Sequence, residues 1–248
     1  MYAHATGFCG AVWRPVRARL GLDSTIFDFR GHGSSRSGRD RRSWWEMALD
    51  VLAVRASVDR PVVGVGHSMG GAALVMAELL DPGSFDALVL VEPIILPPPY
   101  GRDEGHPLVS LALRRRAVFE SRDDARATYA SKPPFDTWDP ASLDGYLDGG
   151  FHRTDGTFTL ACRPRSEAEV FTAAGAHAVW ERVAEVPVPV TILYGANTDT
   201  YPSGHAERLA TRFGDGSTVE VADTGHFVPM ERPDVVADAV QRAAAALN

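Results

Sequence analysis

Gly66-His67-Ser68-Met69-Gly70 decides how this chain is read. The G-x-S-x-G pentapeptide follows an apolar, strand-like run at 61–65 and precedes a small-residue, helix-like run at 71–80. A strand that turns sharply into a helix strains its corner residue and pushes that side chain into the open. The flanking glycines leave room for the turn. A serine at such a corner sits at a helix N-terminus, where backbone N–H groups point at any developing anion. Ser68 is therefore the candidate nucleophile, and the N–H of Met69 a candidate donor to an oxyanion. Without partner residues, the same pentapeptide is only a Gly-rich turn with a surface serine.

Working outward, short apolar runs alternate with helix-like stretches in two blocks. The first holds strands at 24–29, 61–65 and 87–91, with a helix at 43–57 and another from Met69. The second holds strands at 188–194 and 218–221, with helices at 202–213 and 233–247. Continuous apolar strands, each followed by a helix, predict a parallel sheet covered on both faces. From about 96 to 184 that rhythm breaks. Pro97-Pro98-Pro99 and Lys132-Pro133-Pro134 stop regular structure, and aromatics such as Phe119, Tyr129, Phe135, Trp138, Tyr146 and Phe151 lack strand periodicity. Helix-like fragments recur at 108–120 and 167–174. The expected organisation is a core over 1–95 and 185–248, with an inserted helical cap over 96–184 lying across the strand ends.

Ligands of open parallel sheets bind at the carboxyl ends of the strands. Two such ends supply partners for the serine. Gly195-Ala196-Asn197-Thr198-Asp199 follows one strand and Ala222-Asp223-Thr224-Gly225-His226 follows the last. His226 would take the serine proton, and Asp199 would fix its tautomer and stabilise the imidazolium. The order Ser, Asp, His is the one used by α/β-hydrolases.

On these residues the chain resembles the α/β-hydrolase superfamily over nearly its whole length. His4-Ala5-Thr6-Gly7-Phe8 with Trp13 resembles the His-Gly oxyanion loop. Asp28-Phe29-Arg30-Gly31-His32-Gly33-Ser34-Ser35 resembles the D-x-R-G-x-G-x-S turn, and Gly225-His226-Phe227-Val228-Pro229 with Glu231-Arg232-Pro233 resembles the histidine loop. The resemblance implies a serine hydrolase with a lidded α/β-hydrolase fold, acting without a cofactor on a small or medium carboxylic ester. It also implies a second oxyanion N–H from Phe8, with Gly7 as the alternative. Lactone hydrolysis, carbon–carbon hydrolysis and a weakly catalytic ligand-binding homologue remain open. So does the acid: Glu92 also follows its own strand, at the position that carries the triad acid in some haloalkane dehalogenases.

Three departures from the family pattern stand out. Two extra residues separate His4 from Phe8, and the acid loop is one residue longer than G-x-x-D. The chain also begins only three residues before His4. The first two strands of the fold would then be missing, which would expose a sheet edge and suggest a misassigned start codon.

Bulk properties fit this reading. The 248 residues are 45% hydrophobic and 23% charged, enough for one large domain. A net charge of −7 argues against a nucleic-acid surface. Lys132 is the single lysine, and the arginine clusters Arg39/Arg41/Arg42 and Arg114/Arg115/Arg116 read as solvated faces, the second with the alternative of flanking an acidic substrate. Cys9 and Cys162 suggest no disulfide framework, and Cys9 reads as a buried inert thiol beside the loop. No metal-ligand spacing is present, and Gly31-His32-Gly33 is not a dinucleotide fingerprint because Arg36 occupies its final glycine position. No run is long enough for a membrane helix, so a cytoplasmic location is the default expectation. His32 and His67 read as turn and elbow residues; His106, His152, His177 and His205 read as exposed or locally satisfied.

Overall fold

The computed structural model describes residues 1–35, 43–59 and 61–247; Arg36 and the Arg39/Arg41/Arg42 cluster lie outside them. The first block contains β1 (Tyr2–Ala3), a 3-10 turn at Gly10–Trp13, α1 (Arg14–Arg17), α2 (Trp44–Arg55), β2 (Val63–His67), α3 (Met69–Leu80) and β3 (Ala87–Val91). An inserted stretch follows with α4 (Pro107–Leu113), β4 (Val118–Phe119), α5 (Arg122–Ala130), α6 (Pro140–Gly149), β5 (Phe151–Thr154), β6 (Thr157–Leu160) and α7 (Pro164–Thr172). The last block is β7 (Val190–Gly195), α8 (His205–Ala210), β8 (Gly216–Val221), α9 (Val228–Glu231) and α10 (Pro233–Ala245).

Five strands form a parallel sheet in the order β1-β2-β3-β7-β8. Alternate residues of β3 serve opposite faces, as a pleated strand requires. Leu88 and Leu90 join Met47, Leu74 and Leu209 in one core; Val89 and Val91 join Val65, Val236 and Val240 in the other. Covered on both faces, the central strands need apolar residues at every position, which is why they read as continuous runs. Helix α2 starts where Ser43 and Glu46 form a reciprocal capping box. No helix among the described residues is long and apolar enough to cross a membrane.

Some boundaries differ from the sequence reading. Residues 24–29 are not a strand: Ile26 makes a single parallel bridge to Tyr2, because β1 is only two residues long. The helix predicted over 202–213 begins at His205, since Gly204 takes a left-handed φ of 72°. The fragment predicted over 108–120 ends at Leu113 and gives way to β4. The inserted stretch is not wholly helical either. It carries an antiparallel sheet in the order β4-β6-β5, with Asp155-Gly156 turning the hairpin between β5 and β6. Asp155 and Gly156 have φ of 49° and 78°, and an Asp-Gly pair suits a two-residue hairpin loop that needs positive φ at both positions.

The insertion is tied to the core along both α6 and α7. Along α6, Gly145 lies so close to the 3-10 turn that a Cβ there would collide with the Ala11 carbonyl, and Cys9 Sγ approaches the Gly145 carbonyl at 3.7 Å. Both cysteines are free and buried, and burial pushes the Cys9 thiol up to about 12, as expected of an inert thiol. On α7, the Val170 carbonyl accepts from Trp44 Nε1 at 2.9 Å.

His177 stacks on Trp44 with centroids 5.4 Å apart. Its Nε2–H donates to the Ile94 carbonyl at 3.0 Å, and its Nδ1 accepts from the Val179 N–H at 3.3 Å. Burial pushes its pKa down to about 4. The unfolded chain binds a proton near pH 6.5 that the folded chain refuses until about 4, so stability falls as pH drops through that window. The loss from this one residue is on the order of 3 kcal/mol by pH 4. Urea midpoints between pH 7 and 4 should fall less steeply for His177→Asn than for the parent; parallel slopes would refute the assignment.

Candidate active site

Ser68 caps the sharp turn from β2 into α3 with φ 55° and ψ −116°, a strained conformation for a residue with a Cβ. The turn is possible because Gly70 lies flat against β1, where a Cβ would meet the Ala3 carbonyl. The Ser68 N–H donates to the Val91 carbonyl at 2.9 Å, and the Ile94 N–H to the Ser68 carbonyl at 3.3 Å. The elbow is thus stitched to the end of β3. The next residue past β3, Glu92, also has a positive φ, of 46°. Met69 is the first residue of α3, and its N–H has no acceptor among the described residues, as expected of the first donors of a helix.

His226 is held beside the elbow. Its backbone carbonyl accepts from His67 Nε2 at 2.9 Å, and the two rings lie 4.8 Å apart. His67 is fully buried, which pushes its pKa well below 6.5 and keeps it neutral. His226 Nδ1 meets Glu92 Oε2 at 3.1 Å. The Glu92 carboxylate is completely buried and also accepts from the Gly195 N–H at 2.9 Å and the Thr198 hydroxyl at 2.7 Å.

The carboxylate at the imidazole is therefore Glu92, and the expectation for Asp199 is corrected. Asp199 lies on the same loop but is exposed to solvent. The physical reason is the sheet: β3 and β7 are neighbours with Val91 opposite Leu193, so the residues past both strands reach the same place. The buried one meets the ring, while the exposed one has water.

The loop at 4–8 also departs from expectation. The Phe8 N–H is used in a tight turn, donating to the Ala5 carbonyl at 3.2 Å, and the Gly7 N–H donates to His32 Nε2 at 3.1 Å. The Thr6 N–H has no acceptor among the described residues. Phe8 instead contributes its ring, packed against Phe135, Trp138, Tyr146 and Phe227. The turn at 28–35 is a scaffold for this loop. Asp28 accepts from the Gly10 N–H at 2.7 Å and from both the N–H and hydroxyl of Ser34 at 2.8 and 2.9 Å. Arg30 ties the turn to α2 through Asp50 and Glu46.

The aromatics of the insertion mainly pack on one another, as Phe151 stacks on Phe158 and Phe119 meets Tyr129. Arg115 is not a solvated residue. It pairs with buried Glu167 at 2.6 Å, bonds the hydroxyls of Tyr129 and Tyr146, and places the Glu167 carboxylate against Gly7. The sequence reading had no signal for this buried pair. Ser68 itself is only 8% exposed, and neither of two surface clefts, about 320 and 220 Å³, is lined by Ser68, Glu92 or His226.

A profile of the alpha/beta hydrolase family matches residues 2–239. The chain belongs to that family. It is similar to the abhydrolase domain-containing protein ACTT2 of Alternaria alternata, at 29% identity over 225 residues, covering 75% of this chain and 85% of that protein. It is also similar to a putative esterase/lipase of Haemophilus influenzae, at 25% identity over 87% of this chain and 71% of the relative. Among solved structures, the peroxisomal alpha-beta-hydrolase Lpx1 of Saccharomyces cerevisiae superposes with a TM-score of 0.86 at 20% identity, covering 99% of this chain and 75% of that one. That likeness extends the shared fold to the insertion. The esterase-like relatives make a hydrolase acting on small molecules the class to which the chain is assigned.

Proposed function

We propose that the chain is a cofactor-independent serine hydrolase of small or medium carboxylic esters, with Ser68 as nucleophile, His226 as general base and Glu92 as the acid. The observation that carries this reading is the 3.1 Å contact of His226 Nδ1 with fully buried Glu92, beside a serine in a strained elbow. Residues 96–184 act as a cap over a core formed by 1–95 and 185–248.

His226 Nε2 takes the proton as Ser68 Oγ attacks the ester carbonyl. The oxyanion is received by the N–H groups of Met69 and Thr6, each such donor being worth about 3 kcal/mol in the transition state. The alcohol leaves with the proton from His226, and the acyl group stays on Ser68. Water then gives its proton to His226 and attacks the acyl-enzyme, and the acid departs as Ser68 recovers its proton. Glu92 holds the imidazole in its Nδ1–H tautomer and faces the positive charge each time the ring is doubly protonated. With Ser68 covered, substrate enters when the cap gives way.

The test is p-nitrophenyl ester hydrolysis over short to medium acyl chains beside Ser68→Ala, with fluorophosphonate labelling of both proteins. Turnover and labelling confined to the parent are expected. A labelled protein that cleaves no ester would move the substrate to lactones or carbon–carbon bonds. A folded protein that does not label would be a ligand-binding member of the family.

A further inference from the structure

We propose that Thr198 is a positioning residue that aims the Glu92 carboxylate at His226; the proposal rests on Glu92 being the acid of the triad. A carboxylate held at one oxygen can still turn, because the last torsion of a glutamate side chain is broad. At Oε1, Glu92 has the Gly195 N–H at 2.9 Å. That single bond leaves the carboxylate free to pivot. The second fixed point is the Thr198 hydroxyl, which meets Oε2 at 2.7 Å, the same oxygen that faces His226 Nδ1 at 3.1 Å. The lone pair offered to the imidazole is thus placed by the threonine.

The hydroxyl itself has a fixed direction. Its oxygen accepts from the Thr200 N–H at 3.3 Å, so its proton is directed at Glu92, which as a carboxylate can only accept. The Thr198 N–H donates to the Gly195 carbonyl at 3.1 Å, closing a turn that folds Thr198 back over the backbone donor to Oε1. A β-branched side chain has few χ1 choices, and this one is set by both hydrogen bonds. Among the described residues, the donors to Glu92 other than His226 come from the end of β7 and the loop that follows it, where the sequence had suggested the acid itself.

Thr198→Val keeps the shape and removes the donor, and Thr198→Ser keeps the donor and loosens the rotamer. With a good ester, Thr198→Val should lower kcat on the order of tenfold while KM stays within about twofold. Fluorophosphonate labelling should slow in step. Thr198→Ser should recover most of both, and Asp199→Asn next door should change neither. The low-field Nδ1–H proton of His226 should move in Thr198→Val and return in Thr198→Ser. Parent-like kcat, labelling and proton position in Thr198→Val would overturn the proposal. If Thr198→Val does not fold, Thr198→Ala is read against Thr198→Ser in the same way. Glu92→Gln separates the two readings: full activity there removes Glu92 as the acid. Loss there with a silent Thr198→Val removes only the role of Thr198.

Discussion

Alanine at Ser68 is expected to lower ester turnover by on the order of 10⁴-fold or more, and alanine at His226 by a similar amount. Together the two changes should cost little more than either alone. The nucleophile is useless without the group that takes its proton, and the base has nothing to act on without the hydroxyl. What survives is the contribution of binding and of the proposed oxyanion donors Met69 and Thr6. The measurement is kcat/KM for one p-nitrophenyl ester across the two single variants and the double. Losses that multiply would mean that Ser68 and His226 do not act as one unit. Ser68→Ala should also relieve backbone strain at φ 55° only slightly, since alanine keeps the Cβ. A parent-like melting temperature therefore accompanies the lost activity.

Glu92→Gln should be nearly as severe, lowering kcat on the order of 10³- to 10⁴-fold with the fold intact. An amide in this buried pocket still accepts through its oxygen, but it lacks the charge that balances an imidazolium and can present an N–H to the ring. The wrong tautomer of His226 is then favoured, with its proton on the nitrogen that must receive one from Ser68. Asp199→Asn should leave kcat within about twofold, because an exposed carboxylate is already screened by water. Steady-state kinetics of the pair, at one pH and with one ester, decides between them. A silent Glu92→Gln beside a crippled Asp199→Asn would return the acid to the loop after β7.

That choice between acids marks where the sequence stops being legible. Gly66, Ser68 and Gly70 could be read because a strand-to-helix corner tolerates few residues, and the helix expected over 43–57 is found as α2, Trp44–Arg55. The acid depends on which strands are neighbours. Val91 and Leu193 lie opposite each other in the sheet though about a hundred positions apart in the chain, and nothing local to Glu92 or Asp199 records that. The oxyanion donor failed for a different reason. Motif comparison counts residues from His4, but the amides of Phe8 and Gly7 are claimed by Ala5 and His32. The hairpin of β5 and β6 is legible in local chemistry: Thr154-Asp155-Gly156-Thr157 carries the turn ahead of β6, along which half-buried and buried residues alternate. Arg115 and Glu167 left no trace, since only the folded insertion joins them.

The near contact of Gly145 with Ala11 leaves no slack between α6 and the 3-10 turn that follows the loop at 4–8. Close-packed backbones move together, so α6 and the loop form a single gear train. If the Thr6 amide receives the oxyanion as proposed, a substrate that wedges the insertion aside will drag that amide off its mark. Molecular size is then judged by turnover rather than by affinity: an oversized ester can saturate the enzyme and still be spared. Selection for a new acyl group would have to act on both sides of that glycine at once.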